Sequence, residues 1–488
     1  MAKLRAALTL KFVRIPGLVL AAMAAIALGA FYFTPGFRAL PPPLLLRAAP
    51  EAAWMGIEAD QRAGIMLLLQ DALEVETERT VLTEAPHARI GASRVEVLQI
   101  SARRDGTALH LQIDRTRPDG AWDQIKAFGL PVEAFRDFLQ ALGHQPKRLE
   151  ALLPNEPRSF WELTRLLPPI ALPALAPALS RAKVLVEQEP TCAAAHFAMA
   201  NLMYRQLLME VASTEDFHLK CEGVFRKAME ILPGYPRAAY QMVRWKTDVG
   251  AVREALDQAF AFRRQHPRNF LVYGGLAYVA RNSGLLDGAL EALRAREVLC
   301  GGILADPGLA ENTYLYRGDA ERFHRTLAPL PGLPFSPVRE FYRGYMCLIE
   351  GDAGGARDFF IQARRQPGQD AQFEALARVY DLALDGQKPE ALTYLRTLRA
   401  DRASLRVPDG EFTFKLAEAF AFLGQRDEAI DTATRAFGQG FGCTRWYRES
   451  PLLANLRGLP RWNALLQHLQ ERQNLMSQTY PAQRFGLE

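Results

Sequence analysis

GLLDGALEAL, residues 284–293, opens with Gly284 and places Ala289 five positions on. Gly250 and Ala255 keep the same offset thirty-four residues earlier. Gly318 stands thirty-four residues further on, and Gly351, Gly386 and Gly424 follow at intervals of 33, 35 and 38. Ala356, Ala391 and Ala429 preserve the offset, and Pro233 and Pro267 are again thirty-four apart. A small-residue spacing reused at a fixed interval marks a repeated structural unit.

The unit is a helix, a turn and a second helix. Glycine belongs in the turn, where positive φ is commonly needed. Alanine belongs where the second helix crosses the first and a larger side chain would push them apart. Proline ends the second helix because it cannot extend the hydrogen-bond ladder. FYRGYMCLIEGDAGGARDFFIQARRQPG, residues 341–368, fits through Gly344, Gly351, Ala356, Phe360 and Ala363. FKLAEAFAFLGQRDEAIDTATRAF, residues 414–437, fits through Ala417, Phe420, Gly424, Ala429 and Ala436. Phe225, Ala228 and Pro233 mark another unit over 191–233, with an insertion around VASTEDFH, while LADPG and LAPLPGLP interrupt the unit at 302–334. The period and these residues resemble the tetratricopeptide repeat (TPR). The resemblance implies a mainly α, TPR-like α-solenoid of about seven or eight helix pairs over 157–441.

WYRESPLLANLRGLPRWNALLQHL, residues 446–469, resembles the closing segment of many bacterial repeat proteins. It implies a cap over 442–475 that covers the last apolar face with Leu452, Leu453, Trp462 and Leu465.

Upstream, residues 50–147 read as a small α/β domain. IEADQRAGIMLLLQDALEVE has helical periodicity, VEVLQIS and ALHLQID flank RRDGT as a β-hairpin, and VEAFRDFLQAL over 132–142 returns to a helix. This order loosely resembles the small domain at the amino terminus of TolB-like proteins. A similar domain precedes helical repeats in many bacterial membrane regulators, where a cytoplasmic winged helix often comes before the membrane segment.

At the amino terminus, Lys3, Arg5, Lys11 and Arg14 precede IPGLVLAAMAAIALGAFYF, nineteen uncharged residues over 15–33. At ~1.5 Å per residue such a helix crosses a bilayer core. The expected arrangement is a cytoplasmic basic tail over 1–14, a transmembrane signal anchor over 15–33, and a proline-rich linker over 34–49. The preceding cations hold the amino terminus inside, so the bulk of the chain is extracytoplasmic, and periplasmic in a Gram-negative cell. A cleavable signal peptide cut near Ala30 delivers the body to the same compartment. The short inner tail leaves no room for a winged helix or a kinase.

Composition argues against nucleic acid: the net charge is only +5 in 488 residues. Arg263, Arg264 and Arg268 read as a solvated helix face. Five cysteines without a CxxC pair read as small packing residues. The chain contains no GxSxG elbow, no GxxxxGK[ST] loop and no HExxH. His196 and His266 stand apart from metal-ligand spacing, and Glu254 and Asp287 read as solubilising charges. The reading is therefore non-enzymatic, with no catalytic residue, metal or cofactor.

What remains is binding. In such a stack the first helix of each unit lines the concave side. Its expected outward residues are Asn201, Tyr204, Arg205, Tyr240, Arg244, Tyr278, Arg281, Asn282 and Tyr345, types that anchor protein interfaces. Arginines in register suit a carboxylate or peptide carbonyl. The expected function is a membrane-anchored extracytoplasmic scaffold that holds a protein or peptide partner of an envelope complex on its concave face. The alternative is a sensory or regulatory membrane protein whose outer domains detect a ligand and signal through a separate partner.

Overall fold

Three consecutive leucines, Leu44 to Leu46, form the first described strand, β1 (Leu44–Ala48). The computed structural model describes residues 43–77, 79–83, 95–209, 215–301, 311–328, 335–365, 371–403 and 407–487. The basic tail, the apolar run over 15–33 and the first part of the linker lie outside these. The rest of the linker is corrected: β1 lies between two parallel neighbours, and a strand in that position takes a continuous apolar run. No helix among the described residues is long and apolar enough to cross a membrane.

After β1 come β2 (Trp54–Met55), α1 (Ala59–Thr77), β3 (Val81–Thr83), β4 (Glu96–Asp105), β5 (Ala108–Thr116), β6 (Trp122–Gly129) and α2 (Pro131–Ala141). The sheet order is β3-β1-β4-β5-β6, with β2 pairing the far end of β4. The expected hairpin forms: Asp105 pairs with Ala108 across Gly106 and Thr107, and Gly106 takes φ 58°. Ile100, Ile113 and Ile125 stand in register on the inner face, as do Ala102, Leu111 and Ala127. All six are buried.

A single turn, α3 (Leu149–Leu152), leads into eight successive helix pairs among the described residues. They are α4 (Pro157–Leu166) with α5 (Leu172–Gln188), α6 (Ala193–Met209) with α7 (Glu215–Ile231), and α8 (Pro236–Asp248) with α9 (Val252–Gln265). Next come α10 (Phe270–Asn282) with α11 (Leu286–Leu299), α12 (Asn312–Arg317) with α13 (Ala320–Leu327), and α14 (Pro337–Ile349) with α15 (Ala353–Ala363). Last are α16 (Ala371–Leu384) with α17 (Lys388–Ala403), and α18 (Gly410–Phe422) with α19 (Arg426–Gly438). The interrupted unit is the shortened pair α12 and α13. The six phased glycines all take φ between 78° and 91°, and the five phased alanines are fully buried. At Gly344 a Cβ would stand 2.9 Å from the Ala356 carbonyl and from the Phe360 ring, so the small site of that unit is sterically required.

The α/β segment and the first repeats share one hydrophobic core, running from Leu44 through Phe160 and Leu202 to Trp245. The expected boundary near 147–157 is therefore no break in packing. A buried polar junction crosses it. Asp71 on α1 accepts from the Tyr235 hydroxyl and from Arg237 Nε, each at 2.6 Å. Glu74 accepts from Gln70 at 3.0 Å and from Asn269 at 3.2 Å. Burial, and secondarily the charge of Asp71, pushes the Glu74 carboxyl up to about 8 against the pull of Arg237.

The carboxy-terminal segment, α20 (Thr444–Glu449), a 3-10 turn (Pro451–Leu456) and α21 (Pro460–Thr479), buries Leu453, Trp462 and Leu465 as expected, with Leu452 half-buried. It extends past 475 and does more than cover the last unit. Gly442 N, just before it, donates to the Asn282 carbonyl at 2.7 Å and Gln473 Nε2 to the Gly284 carbonyl at 3.2 Å, while Asp409 N at the start of α18 donates to the Asp248 carbonyl at 3.1 Å. Buried Phe485 lies where a side chain on Gly288 would be. Arg263 is likewise corrected from a solvated charge: it is buried and donates to the carbonyls of Arg484 and Gly486. The stack is closed on itself.

Candidate functional site: the concave face and its polar spine

Helix α18 explains what the first helices of the stack face. Its sequence, GEFTFKLAEAFAF, is apolar all round apart from Thr413 and three charges. Every residue from Gly410 to Ala421 is buried, as a helix with that pattern must be. Glu411, Lys415 and Glu418 are spaced by four and three, which places them on one stripe. That stripe is met by side chains from α10, α12 and α14.

At its amino-terminal end, Glu411 accepts from Arg281 at 2.8 Å, Asn312 at 2.5 Å and the Tyr316 hydroxyl at 2.6 Å. Arg281 also reaches Glu311 at 3.2 Å. Burial works against ionisation of Glu411, but Arg281 and the hydrogen bonds outweigh it and hold the carboxyl below the usual range. At the other end, Lys415 donates to Glu418 at 2.9 Å and to the Tyr345 hydroxyl at 3.1 Å, 4.1 Å above the Tyr345 ring. Glu418 also accepts from Tyr345 at 2.8 Å, Trp446 at 3.0 Å and Ser450 at 2.6 Å.

The anticipated groove residues therefore divide. Tyr204, Arg281, Asn282 and Tyr345 are buried, and their expected outward aim is corrected. The Tyr204 hydroxyl donates to Asp248, the Asn282 amide to the Tyr278 carbonyl at 3.0 Å, and Tyr345 belongs to the Lys415–Glu418 cluster. The carboxylate expected from a partner is, for Arg281, supplied by this chain's own helix. The physical reason is closure, which presses α18 against these first helices.

Asn201, Arg205, Tyr240, Arg244 and Tyr278 are only half-buried. Asn201 accepts from Gln241 at 3.1 Å, and the Tyr278 hydroxyl donates to Asp248 at 2.6 Å. Arg244 is different. Its guanidinium lies 5.8 Å from the centre of the Tyr240 ring and 5.1 Å from that of Tyr278, and its buried Nε has no hydrogen-bond partner among the described residues. Burial opposes its charge, yet the surrounding tyrosines and Asp248 hold its pKa well above the ordinary arginine value, so it is cationic throughout. Burial also raises the Asp248 carboxyl, against Arg244 and the two tyrosine hydroxyls.

Asp248, Glu411, Lys415 and Glu418 are the spine residues that the repeat pattern did not single out. For the three on α18, charges spaced 4 and 3 on an otherwise apolar helix are the signal that would have found them. Four cysteines are buried, Cys347 is half-buried, and all five are free thiols. Among the described residues no group of histidine, cysteine and carboxylates is placed to hold a metal.

No protein-family model matches this chain. No curated protein matches it either. Seventeen solved chains do, among them the TPR domain of P58(IPK), which is 13% identical, spans 63% of this chain and 95% of its own, and superposes with a TM-score of 0.17. A superposition that poor carries no argument, and the helix-pair architecture stands on this chain's own turns and packing.

Proposed function

We propose that this protein is a non-catalytic interaction scaffold whose partner docks at the open end of the concave face, over α6 and α8. The observation that carries the reading is Arg244. A guanidinium flanked by two tyrosine rings, with an unsatisfied Nε, is preorganised for a carboxylate or a peptide carbonyl. Arg281, on the next unit's first helix, already holds two carboxylates, which makes it a worked example of the same chemistry inside the molecule. The wall at this end is fixed by Tyr204, Asp248 and Tyr278, so little ordering accompanies binding.

The same reading takes residues 15–33 as an inner-membrane anchor with the body in the periplasm, within an envelope complex. The cationic amino-terminal flank, the uncharged run of nineteen and the TolB-like order of the α/β segment support it. Alkaline extraction and protease accessibility in spheroplasts test the placement: the body is to be digested from outside and the chain retained in the pellet.

A photoreactive amino acid at Tyr240 tests the surface. The expected result is one crosslinked partner, lost when Arg244→Ala is added while the melting temperature stays within about 2 °C. Unchanged crosslinking in the arginine variant removes the concave face from the reading.

A further inference from the structure

A second recognition surface lies on helices α5, α6 and α7, away from the polar spine. The three pack side by side, and between them runs a solvent-open cleft of about 520 Å³. Its floor and walls are Val186, Met199, Met203 and Val224. Met199 and Met203 are one helical turn apart on α6, so two deformable thioethers line the floor.

The rim is cationic. Lys183 from α5, with Lys220 and Lys227 from α7, border the cleft and are exposed. Lys227 reaches Glu230 at 3.7 Å, whereas Lys183 and Lys220 have no ion-pair partner among the described residues. Nearby Glu222 is already engaged by Arg226 at 2.7 Å and Lys246 at 3.5 Å. His196 also lines the cleft, its Nε2 within 3.1 Å of the Pro190 carbonyl. Burial lowers its pKa against the pull of the Pro190 carbonyl, and the three lysines set the sign of the field.

Gly223 is the independent observation. It sits mid-way along the seventeen-residue α7, where glycine weakens a helix by about 1 kcal/mol relative to alanine. Some other glycines deep inside helices have steric reasons, whereas Gly274 and Gly275 on α10 meet only side chains, with Tyr240 at 3.4 Å and Val243 at 3.5 Å the nearest. A Cβ on Gly64 would lie 1.9 Å from the Thr164 carbonyl, and one on Gly288 would lie 2.7 Å from Phe485. Around Gly223 nothing lies within 4 Å. No contact in the described chain calls for a glycine there, and it exposes helix backbone on the wall of the cleft. Bare backbone in a recognition groove admits close approach by another backbone.

We infer that the α5–α7 cleft seats an acidic amphipathic helix of a partner protein. Its apolar ridge lies on Met199 and Met203, its backbone passes Gly223, and its carboxylates meet the unpaired Lys183 and Lys220. An apolar floor between helical walls matches helix-in-groove docking, and the charge pattern selects an acidic ligand over a basic one. This surface is separate from the Arg244 site, so either can fail without the other.

The test uses the full-length protein labelled with ¹³C-methyl methionine. The probes are an end-blocked peptide of about four helical turns with leucine at i, i+3, i+7 and glutamate elsewhere, its lysine-for-glutamate counterpart, and sodium palmitate. The acidic peptide is expected to shift the Met199 and Met203 methyl signals and to bind with a micromolar Kd. Lys183→Glu with Lys220→Glu is expected to weaken it at least tenfold. Gly223→Ala is expected to raise the melting temperature by about 1–2 °C while weakening the peptide about tenfold, and Gly223→Leu to abolish binding. Equal binding of the basic peptide, methyl shifts produced by palmitate alone, or full affinity in Gly223→Ala would each overturn the inference.

Discussion

Lys415 and Glu418 show what single residues contribute. Both are buried, and each satisfies the other and a ring of tyrosine, tryptophan and serine. Removing one member of such a pair leaves an uncompensated charge. Lys415→Met should therefore cost about 3–5 kcal/mol in urea denaturation. In a double-mutant cycle with Glu418→Gln, the coupling should be about 1–3 kcal/mol, and additive losses would show that the pair acts independently. Glu74 makes a pH prediction. Its carboxyl binds a proton more tightly folded, at about 8, than unfolded, at 4.5. Its contribution is thus greatest below the unfolded value and is lost as pH rises through the folded one. The melting temperature should fall between pH 6 and 8.5 more steeply than in Glu74→Gln, and parallel curves would clear Glu74. Residue types were legible in the sequence at this scale, while their direction was not. Tyrosine, arginine and asparagine on first helices read equally well as interface anchors or as internal partners, and only closure of the stack decides between them.

Helices and turns were the most legible level. Glycine and alanine phasing located the paired helices because each requirement, positive φ and close crossing, is local. The strand β1 was read as spacer because prolines precede it and a parallel strand lacks the alternation that exposes a hairpin. The edge strand β6 escaped notice for a related reason: its outer face carries Trp122 and Phe128, both exposed, and blurs the inside-outside pattern. The turn glycines also predict unequal costs. Gly351 has φ 89° in open space, so Gly351→Ala should lose about 1 kcal/mol. Gly284 has φ 82°, and a Cβ there would lie 2.3 Å from the Gly442 carbonyl. Gly284→Ala should lose about 3 kcal/mol or more. Equal losses by thermal or urea unfolding would show that the Gly284–Gly442 approach is unimportant.

Solenoids are held together by contacts between adjacent repeats, and their stability is close to a sum of local terms. This molecule departs from that rule. Arg281 and Glu411 are 130 residues apart, and Tyr480 bonds Asp257 across 223. No periodicity encodes such pairings, which is why closure was invisible in the repeat pattern. Deleting residues 439–488 should therefore loosen units far away in sequence. Amide exchange across 236–299 is expected to accelerate at least tenfold, whereas a purely nearest-neighbour stack would fray only beside the cut.

Arg263 carries a consequence in time. A ribosome that has finished α9 must add more than two hundred further residues before the Gly486 carbonyl, 223 positions downstream, can accept from that guanidinium. Until then the carbonyls of Arg484 and Gly486 cannot receive that guanidinium, and the third pair lacks this contact with the tail. Arrival of residues 484–486, and not the emergence of each repeat in turn, is the event that commits the third pair to its final packing.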